Sequence, residues 1–123
     1  MERYNKAFNV QDVLALVPTQ TFDDKKYEYL DGQRFKRVSQ RLVLFKTKGC
    51  KCVQCGLEGT VFYLEKHKND KHYHFNLYGY DADGKEVMLT KDHVVPKSKG
   101  GRDVLENYQT MCSRCNEAKA DKF

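Results

Sequence analysis

Four cysteines stand in two pairs of equal spacing, Cys52-x2-Cys55 and Cys112-x2-Cys115. A tight turn of this spacing brings both sulfurs to one side, so two such turns can enclose one ion in a tetrahedral thiolate set. That set is typical of structural zinc, one ion per chain. The separation between the pairs exceeds the usual zinc-finger spacing, and a redox pair or inert buried cysteines are the alternatives.

Cys50 is the fifth cysteine and lies just before the first pair. It could compete as a ligand, but Cys52 gives the regular spacing to Cys55. We therefore expect Cys50 to be a free, partly buried thiol that does not belong to the metal site.

A second group of polar residues could do different chemistry. Asp92 and His93 end an apolar run, a basic loop with Gly100-Gly101 follows, and Asn107 and Asn116 come after it. Alone, such a stretch is typical of a strand that runs into a solvated loop. A closed four-thiolate site, however, has no open coordination position for hydrolysis. Any hydrolytic chemistry would therefore need this second group.

Together these positions follow the pattern D-H-x2-P-x-S-x-G-G-x5-N-x4-C-x2-C-N-x2-K. With the first cysteine pair, the segment from about Cys52 to the C-terminus resembles the HNH endonuclease family in its four-cysteine zinc form. It is similar to the small, free-standing HNH proteins of bacteriophages. The resemblance implies a ββα-metal, treble-clef-like core that hydrolyses phosphodiester bonds in DNA and leaves 5′-phosphate and 3′-hydroxyl ends.

The resemblance also implies a role for each polar position. His93 matches the general base, and an ordinary imidazole suits proton transfer at neutral pH. Asp92 matches a carboxylate ligand of the catalytic ion, Asn107 the structural central asparagine, and Asn116 the third motif residue, which would bind the ion through its carbonyl oxygen. This H-N-N set departs from a literal H-N-H, and its oxygen ligands favour Mg²⁺ or Mn²⁺ over zinc.

Basic residues beside this group are candidates for phosphate contacts. They are Lys97, Lys99, Arg102 and Lys119. Gly100-Gly101 would let the backbone approach a DNA strand closely.

A second basic region lies outside the family resemblance. Residues 25–51 contain nine Lys or Arg against two carboxylates, whereas the net charge of the whole chain is +5. We expect this region, with Arg37 and Arg41 as contact candidates, to lie along a DNA backbone and supply sequence-independent affinity. A solvated surface over one side of the nuclease core is the alternative.

The local sequence predicts the elements that carry these residues. Asn9 is an N-cap candidate for a short helix that ends at Pro18, and Ser39 for a basic helix that ends at Gly49. Asp31-Gly32 predicts a hairpin turn. Two or three antiparallel strands are expected from Thr60 to Val95, with His67, His72 and His74 at a hairpin tip and its flank rather than in a metal site. A last strand or extended loop at 106–112 precedes a closing helix with Ser113 as its N-cap.

The length predicts one small domain, and the predicted helices and strands, with the ββα core that the resemblance implies, make it α+β. The chain has 123 residues, 40% of them hydrophobic, which suits a thin core that a metal would help to stabilise. We expect residues 1–48 to form a helix, hairpin and helix extension, and residues 49–123 the zinc-bound nuclease domain with a β-hairpin insertion at about 57–88. With no apolar run of membrane-spanning length and no signal-peptide pattern, we expect a cytoplasmic protein that is not secreted and has no membrane partner.

The predicted function is a metal-dependent endonuclease or nickase that acts on double-stranded DNA. A non-catalytic zinc module that binds nucleic acid or protein is the main alternative, and a redox protein is the third. A double-strand cut from one active site requires either a homodimer or two successive nicks, and the sequence does not distinguish them.

Overall fold

Residues 1–120 are described by the structure, a computed structural model. The elements in chain order are β1 (Glu2–Asn9), α1 (Val10–Leu14), β2 (Tyr27–Leu30), β3 (Gln33–Lys36), α2 (Gln40–Lys48), β4 (Val61–Lys66), β5 (His74–Tyr80), β6 (Glu86–His93), β7 (Tyr108–Cys112) and α3 (Ser113–Lys119). Short 3₁₀ helices span Lys97–Lys99 and Leu105–Asn107. The predicted α+β class is confirmed.

A five-stranded antiparallel sheet organises the molecule, in the order β1-β4-β5-β6-β7. Two or three strands were predicted between Thr60 and Val95, and the structure has three, β4, β5 and β6; the strand alternative for 106–112 is confirmed as β7. His74 opens β5, and His72 Nε2 lies 3.0 Å from the guanidinium of Arg34.

The edge strand β1 was not predicted from the sequence. Phe8 is its one buried residue and Tyr4 is half-buried, while the rest of the strand is exposed. A register shift between Arg3 and Ala7 interrupts its pairing with β4. The strand therefore lacks the alternation of apolar and polar residues by which strands are recognised.

The two helices predicted before Cys50 and their N-caps are confirmed, although the first ends at Leu14 and not at Pro18. The Asn9 side chain accepts the backbone N–H of Gln11 at 2.8 Å, and Ser39 Oγ accepts that of Leu42 at 3.3 Å. In α2 the four consecutive residues Leu42–Phe45 are all buried. Four consecutive buried residues cover nearly every side of a helix. Fewer of its basic residues can therefore point to solvent than the sequence suggests.

Arg41, which the sequence offers as a candidate for DNA contact, has its guanidinium engaged within the protein. Its Nη2 donates to the carbonyl of Phe75 at 2.9 Å, and its Nε is buried without a partner among the described residues. Burial lowers the pKa of this guanidinium. The Arg41 hydrogen bond thus ties α2 to β5.

The Asp31-Gly32 hairpin turn is also confirmed, between β2 and β3. Asp31 has φ 53° and Gly32 φ 73°, the two positive values that a type I′ turn requires. Phe35 anchors the hairpin, because its buried ring meets Phe75 edge-on at 4.8 Å.

One core joins the two predicted parts of the chain. Phe8, Val13 and Val43 from the first 48 residues cluster with Leu89 and Met111 from the remainder. The division near residue 48 stays a prediction, but these apolar side chains are buried together. Among residues 1–120, no helix has the length and apolar character needed to cross a bilayer.

Strands β6 and β7 set the positions of the candidate site residues. In their antiparallel register Leu89 faces Cys112 at one end and His93 faces Tyr108 at the other. Helix α3 follows Cys112 at once and packs against both strands. Ser113 is not its N-cap; Cys112 is, because its sulfur accepts the backbone N–H of Cys115. Residues 121–123 of the predicted closing helix lie outside the described residues.

Candidate functional site

The sulfurs of the two C-x2-C pairs form one cluster. The Sγ atoms of Cys52, Cys55, Cys112 and Cys115 all lie within 4.8 Å of one another. Cys55 Sγ and Cys112 Sγ are 3.8 Å apart. Four sulfurs around zinc at bonds of about 2.3 Å form a tetrahedron with edges of about 3.8 Å. The four cysteines are thus positioned to bind a metal ion, and the donor set suits structural zinc.

Backbone hydrogen bonds position the first cysteine pair. Cys52 N–H donates to the carbonyl of Leu57 at 2.9 Å, and Gly56 N–H donates to that of Cys52 at 2.9 Å. Val53 N–H donates to the carbonyl of Thr110 on β7 at 3.0 Å. The turn is therefore fastened to the strand that ends in the second pair.

The second pair is positioned by the start of α3. Cys115 N–H donates to Cys112 Sγ at 3.5 Å. Burial tends to raise the pKa of Cys52, but amide hydrogen bonds from Cys112, Cys55 and Gln54 outweigh it and lower that pKa to about 6. A thiol with a lowered pKa is readily available as a thiolate ligand.

Cys50 lies outside the cluster, as predicted. It is half-buried, its Sγ lies 3.9 Å from the Phe45 carbonyl oxygen, and burial raises its pKa to about 11. A thiol with so high a pKa is a poor nucleophile at neutral pH.

A separate pocket of about 330 Å³ opens at the other end of β6. We call it the β6 pocket; its lining is Lys91, Asp92, His93, Pro96, Lys97, Ser98, Asn116, Lys119 and Ala120. Strand β6, the loop after it and α3 thus bring the predicted base and both predicted oxygen ligands to one concave surface.

His93 is held by two neighbours. Its Nε2 lies 2.7 Å from Asp103 Oδ1, and its ring meets Tyr108 edge-on at 5.0 Å. The contacts with His93 and then Lys97 lower the pKa of Asp103. An ionised carboxylate can only accept, so Nε2 carries the proton and Nδ1 is the nitrogen left to take one.

Asp92 is buried, with 6% of its surface exposed. Its Oδ2 accepts Gln109 Nε2 at 2.9 Å and Lys119 Nζ at 2.8 Å. No donor within residues 1–120 reaches Oδ1, which leaves one oxygen of a pocket-lining carboxylate available.

The side-chain amide of Asn116 is oriented by Thr90. The Thr90 hydroxyl donates to the carbonyl of Met111 at 2.6 Å, so its oxygen can only accept from Asn116 Nδ2 at 2.9 Å. This arrangement turns the Asn116 carbonyl oxygen away from Thr90. It is the orientation that an oxygen ligand to a cation needs.

Asn107 ties together the loop that follows His93. Its Oδ1 accepts Val95 N–H at 2.9 Å, and its Nδ2 donates to the carbonyls of Val95 and Arg102 at 3.0 and 2.9 Å. Gly101 packs against the same loop, where an added Cβ would lie 1.7 Å from the Val95 oxygen. These contacts hold the start of the loop at Val95 to its later part at Arg102 and Asn107.

The comparison with known families bears on this part of the chain. Residues 81–123 match the HNH endonuclease family model. The resemblance inferred from the sequence is therefore confirmed for this segment, which we call the HNH-like segment. No curated protein and no solved structure matches the chain. The HNH-like segment includes β6, β7, α3, the β6 pocket and the second cysteine pair, while the first pair lies before it.

The basic residues predicted to contact phosphate fall into two groups. Lys97, Lys99 and Arg102 are exposed on the loop of the HNH-like segment, and Lys97 Nζ lies 3.0 Å from Asp103 Oδ2. Lys119 points inward instead, where Nζ contacts Asp92 and donates to the His93 carbonyl at 2.6 Å. The Lys119 ammonium thus lies beside two oxygen atoms, Asp92 Oδ2 and the His93 carbonyl oxygen. Two such oxygens make a suitable environment for a cation.

Arg37 is engaged by the protein itself, as is Arg41. Its Nε donates to the carbonyl of Leu16 at 2.8 Å, its Nη1 to that of Lys25 at 2.7 Å, and Asp23 completes the cluster at 3.0 Å. These bonds fasten the 16–25 loop to the hairpin. The geometry favours a packing role for Arg37 over contact with DNA.

Three residues that position the site were missed from the sequence: Thr90, Asp103 and Gln109. Thr90 and Gln109 could have been inferred from strand pairing, since they lie on β6 and β7 in the register that carries Asp92. Asp103 reaches His93 only through the folded loop, and its sequence position carries no such signal.

Proposed function

We propose that the protein is a metal-dependent DNA endonuclease or nickase that hydrolyses phosphodiester bonds. The observation that carries the proposal is the convergence of Asp92, His93 and Asn116 on the β6 pocket within the HNH-like segment. In this proposal β6, β7 and α3 form the ββα-metal core, and zinc on the four cysteines ties that core to the turn after α2.

His93 is the general base in this mechanism. With its Nε2 proton bonded to Asp103, Nδ1 accepts a proton from the water that attacks phosphorus. Asn107 acts at a distance from the chemistry, since its three hydrogen bonds hold the loop that leads away from His93. Asp103 and Asn107 are thus positioning residues.

Asp92 Oδ1 and the Asn116 carbonyl oxygen would hold the catalytic Mg²⁺ or Mn²⁺. Hard oxygen donors with room for water suit either ion. When bound, the ion stabilises negative charge that develops on the phosphate and on the leaving 3′ oxygen. Gln109 and Lys119 bond the other oxygen of Asp92 and orient its carboxylate.

The proposed substrate is double-stranded DNA. Lys97, Lys99 and Arg102 are exposed beside the pocket, where cations attract phosphate without reading sequence. Lys119 contributes from inside the pocket, as its ammonium lies next to Asp92 and the His93 carbonyl.

Plasmid cleavage in Mg²⁺ or Mn²⁺ tests the proposal. Wild-type protein and His93→Ala are compared after metal analysis shows one zinc per chain in both. We expect the wild type to nick or linearise the plasmid, and His93→Ala to lose at least about a hundredfold in rate, since a general base contributes about 10²–10⁴. His67→Ala, an exposed histidine at the β4–β5 turn, is the matched control and retains the wild-type rate.

Equal cleavage by wild type and His93→Ala would show that His93 is not the base. If neither protein cleaves but both bind DNA with a steep salt dependence, the chain is a zinc-containing binding module instead.

A further inference from the structure

The exposed face of the β2–β3 hairpin combines aromatic and basic side chains. Tyr27 pairs with Lys36 and Tyr29 with Arg34 across the two strands. Directly opposed residues, and residues two apart, point to the same side of a hairpin. These four side chains therefore share one face, and Phe35 is buried on the other.

The aromatic rings on this face are open to solvent. Tyr29 is 60% exposed and Tyr27 43% exposed. The guanidinium of Arg34 lies 4.2 Å from the centre of the Tyr27 ring, which makes a flat, cationic platform of the pair. Nothing in the core requires such rings here, because Phe35 alone anchors the hairpin to Phe75.

A groove of about 840 Å³ lies beside the hairpin, on the side where Phe35 is buried. We call it the hairpin groove. Lys36 belongs to both the face and the groove, and Lys91 belongs to both the groove and the β6 pocket. The groove therefore adjoins the hairpin at Lys36 and the β6 pocket at Lys91.

The charge of the hairpin groove suits a polyanion. Lys26, Lys36 and Lys91 line it, together with Arg41, whose guanidinium is bonded to the Phe75 carbonyl. Its one lining carboxylate, Asp23, is already paired with Arg37 at 3.0 Å. Phe22 also lines the groove and is 75% exposed. Exposed aromatics interleaved with cations along a groove are the features that bind unpaired nucleic-acid strands.

We propose that the hairpin face and the hairpin groove bind an unpaired DNA strand that extends from the duplex beside the scissile phosphate. The bases stack on Phe22 and Tyr29, while Lys36 and Lys91 contact the backbone on the way to the β6 pocket. An unpaired strand is specified because the bases of a duplex are already stacked and present only their edges. This inference rests on the proposed nuclease function for its meaning, but its test does not require cleavage.

The test measures binding by the zinc-loaded full chain carrying His93→Ala, without added divalent ions. Fluorescence anisotropy follows a labelled oligonucleotide, either single-stranded or annealed to its complement, at fixed salt. We expect tighter binding to the single strand. Phe22→Ala and Tyr29→Ala each weaken that binding by about fivefold or more, with duplex affinity changed by less than about twofold.

Further variants separate stacking from charge and from loss of fold. Tyr29→Phe keeps the aromatic ring, so it retains the single-strand affinity of the parent protein carrying His93→Ala. Lys36→Ala lowers the salt slope of single-strand binding by about 0.7. Tyr80→Ala and Lys85→Ala, exposed residues at the far end of β5 from the hairpin, are the matched controls and leave binding unchanged.

Two results would overturn the inference: single-strand affinity that does not depend on Phe22 and Tyr29, or an equal loss of duplex affinity. Neither result touches the plasmid test, because a protein can cleave without this strand path. Conversely, if the expected binding pattern is found but the wild-type protein never cleaves DNA, the strand path is supported and the nuclease function is rejected.

Discussion

Glu65 and Asp92 are two buried carboxylates on one sheet with different surroundings. Glu65 on β4 is 4% exposed and Asp92 on β6 is 6% exposed. Both oxygens of Glu65 are used: Oε1 accepts from Asn76 and Tyr78, and Oε2 from Arg3. Asp92 uses only Oδ2 within residues 1–120, and its side chain lines the β6 pocket.

The difference separates a structural carboxylate from one that can bind a ligand. Burying a charge is costly unless donors and a counter-charge compensate it. For Glu65 the compensation is complete within the protein. For Asp92 it is partial, and the remaining oxygen is available to a cation. Burial alone would have ranked the two residues as equals.

The largest expected effect is the loss of cleavage in Asp92→Asn. The amide keeps the shape of the side chain but removes the charge that would hold the divalent ion. We expect plasmid cleavage to fall by at least about a hundredfold, measured at saturating Mg²⁺ after zinc content is verified. Glu65→Gln is the matched control and retains its rate per folded molecule. A comparable loss in both variants would remove the distinction drawn between the two carboxylates.

The reverse order is expected for stability. Glu65→Gln places an NH₂ group or a neutral oxygen against Arg3, Asn76 and Tyr78, which are arranged to donate. We expect the free energy of unfolding to fall by about 1–3 kcal/mol, measured by urea denaturation of zinc-loaded protein. Asp92→Asn should cost less, because Lys119 keeps its bond to the His93 carbonyl. A larger loss in Asp92→Asn would contradict this ranking.

The sequence predicted those parts of the fold that depend on local signals. The caps at Asn9 and Ser39, the Asp31-Gly32 turn and the strands rich in aromatic and β-branched residues each carry their signal within a few positions. Strand β1 carries none, because it is an edge strand with one buried residue. Its place is decided by long-range pairing with β4.

The same distinction between local and long-range signals applies to the residues of the candidate site. The motif positions that line the β6 pocket were predicted from spacing and resemblance, and so was the convergence of the four cysteines. Of the partners that orient them, Thr90 depends on the pairing of β6 with β7, and Asp103 comes from folded geometry alone. The inward positions of Arg37 and Arg41 were missed because a basic residue in a sequence does not reveal the carbonyls that surround it.

A smaller effect is expected at Asp103, an exposed carboxylate that contacts His93, the proposed base. Asp103→Asn can still accept a hydrogen bond but no longer fixes which His93 nitrogen carries the proton. We expect kcat to fall about tenfold with KM unchanged, and the free energy of unfolding to change by less than about 0.5 kcal/mol. Asp103→Glu should recover part of the rate. An unchanged kcat would show that the contact does not position the base.

The smallest effect is the pH dependence that Glu65 adds to stability. Burial tends to raise its pKa, but hydrogen bonds from Tyr78, Asn76 and Arg3 outweigh it and lower that pKa. The contribution of Glu65 is therefore fully present above its unfolded pKa of about 4.3, and it is lost as pH falls through the lower folded value.

The stability difference between wild type and Glu65→Gln should accordingly be constant near neutral pH and shrink below about pH 4.3. A protonated Glu65 presents much the same groups as glutamine, so the two unfolding curves converge in acid. Urea midpoints measured from pH 7 downward test this, and loss of metal in acid affects both proteins alike. Glu117→Gln, an exposed carboxylate on α3, is the matched control. A stability difference that grew on acidification would mean that Glu65 is buried in its protonated form. The network around Glu65 would then be an uncharged core cluster and not a compensated ion pair.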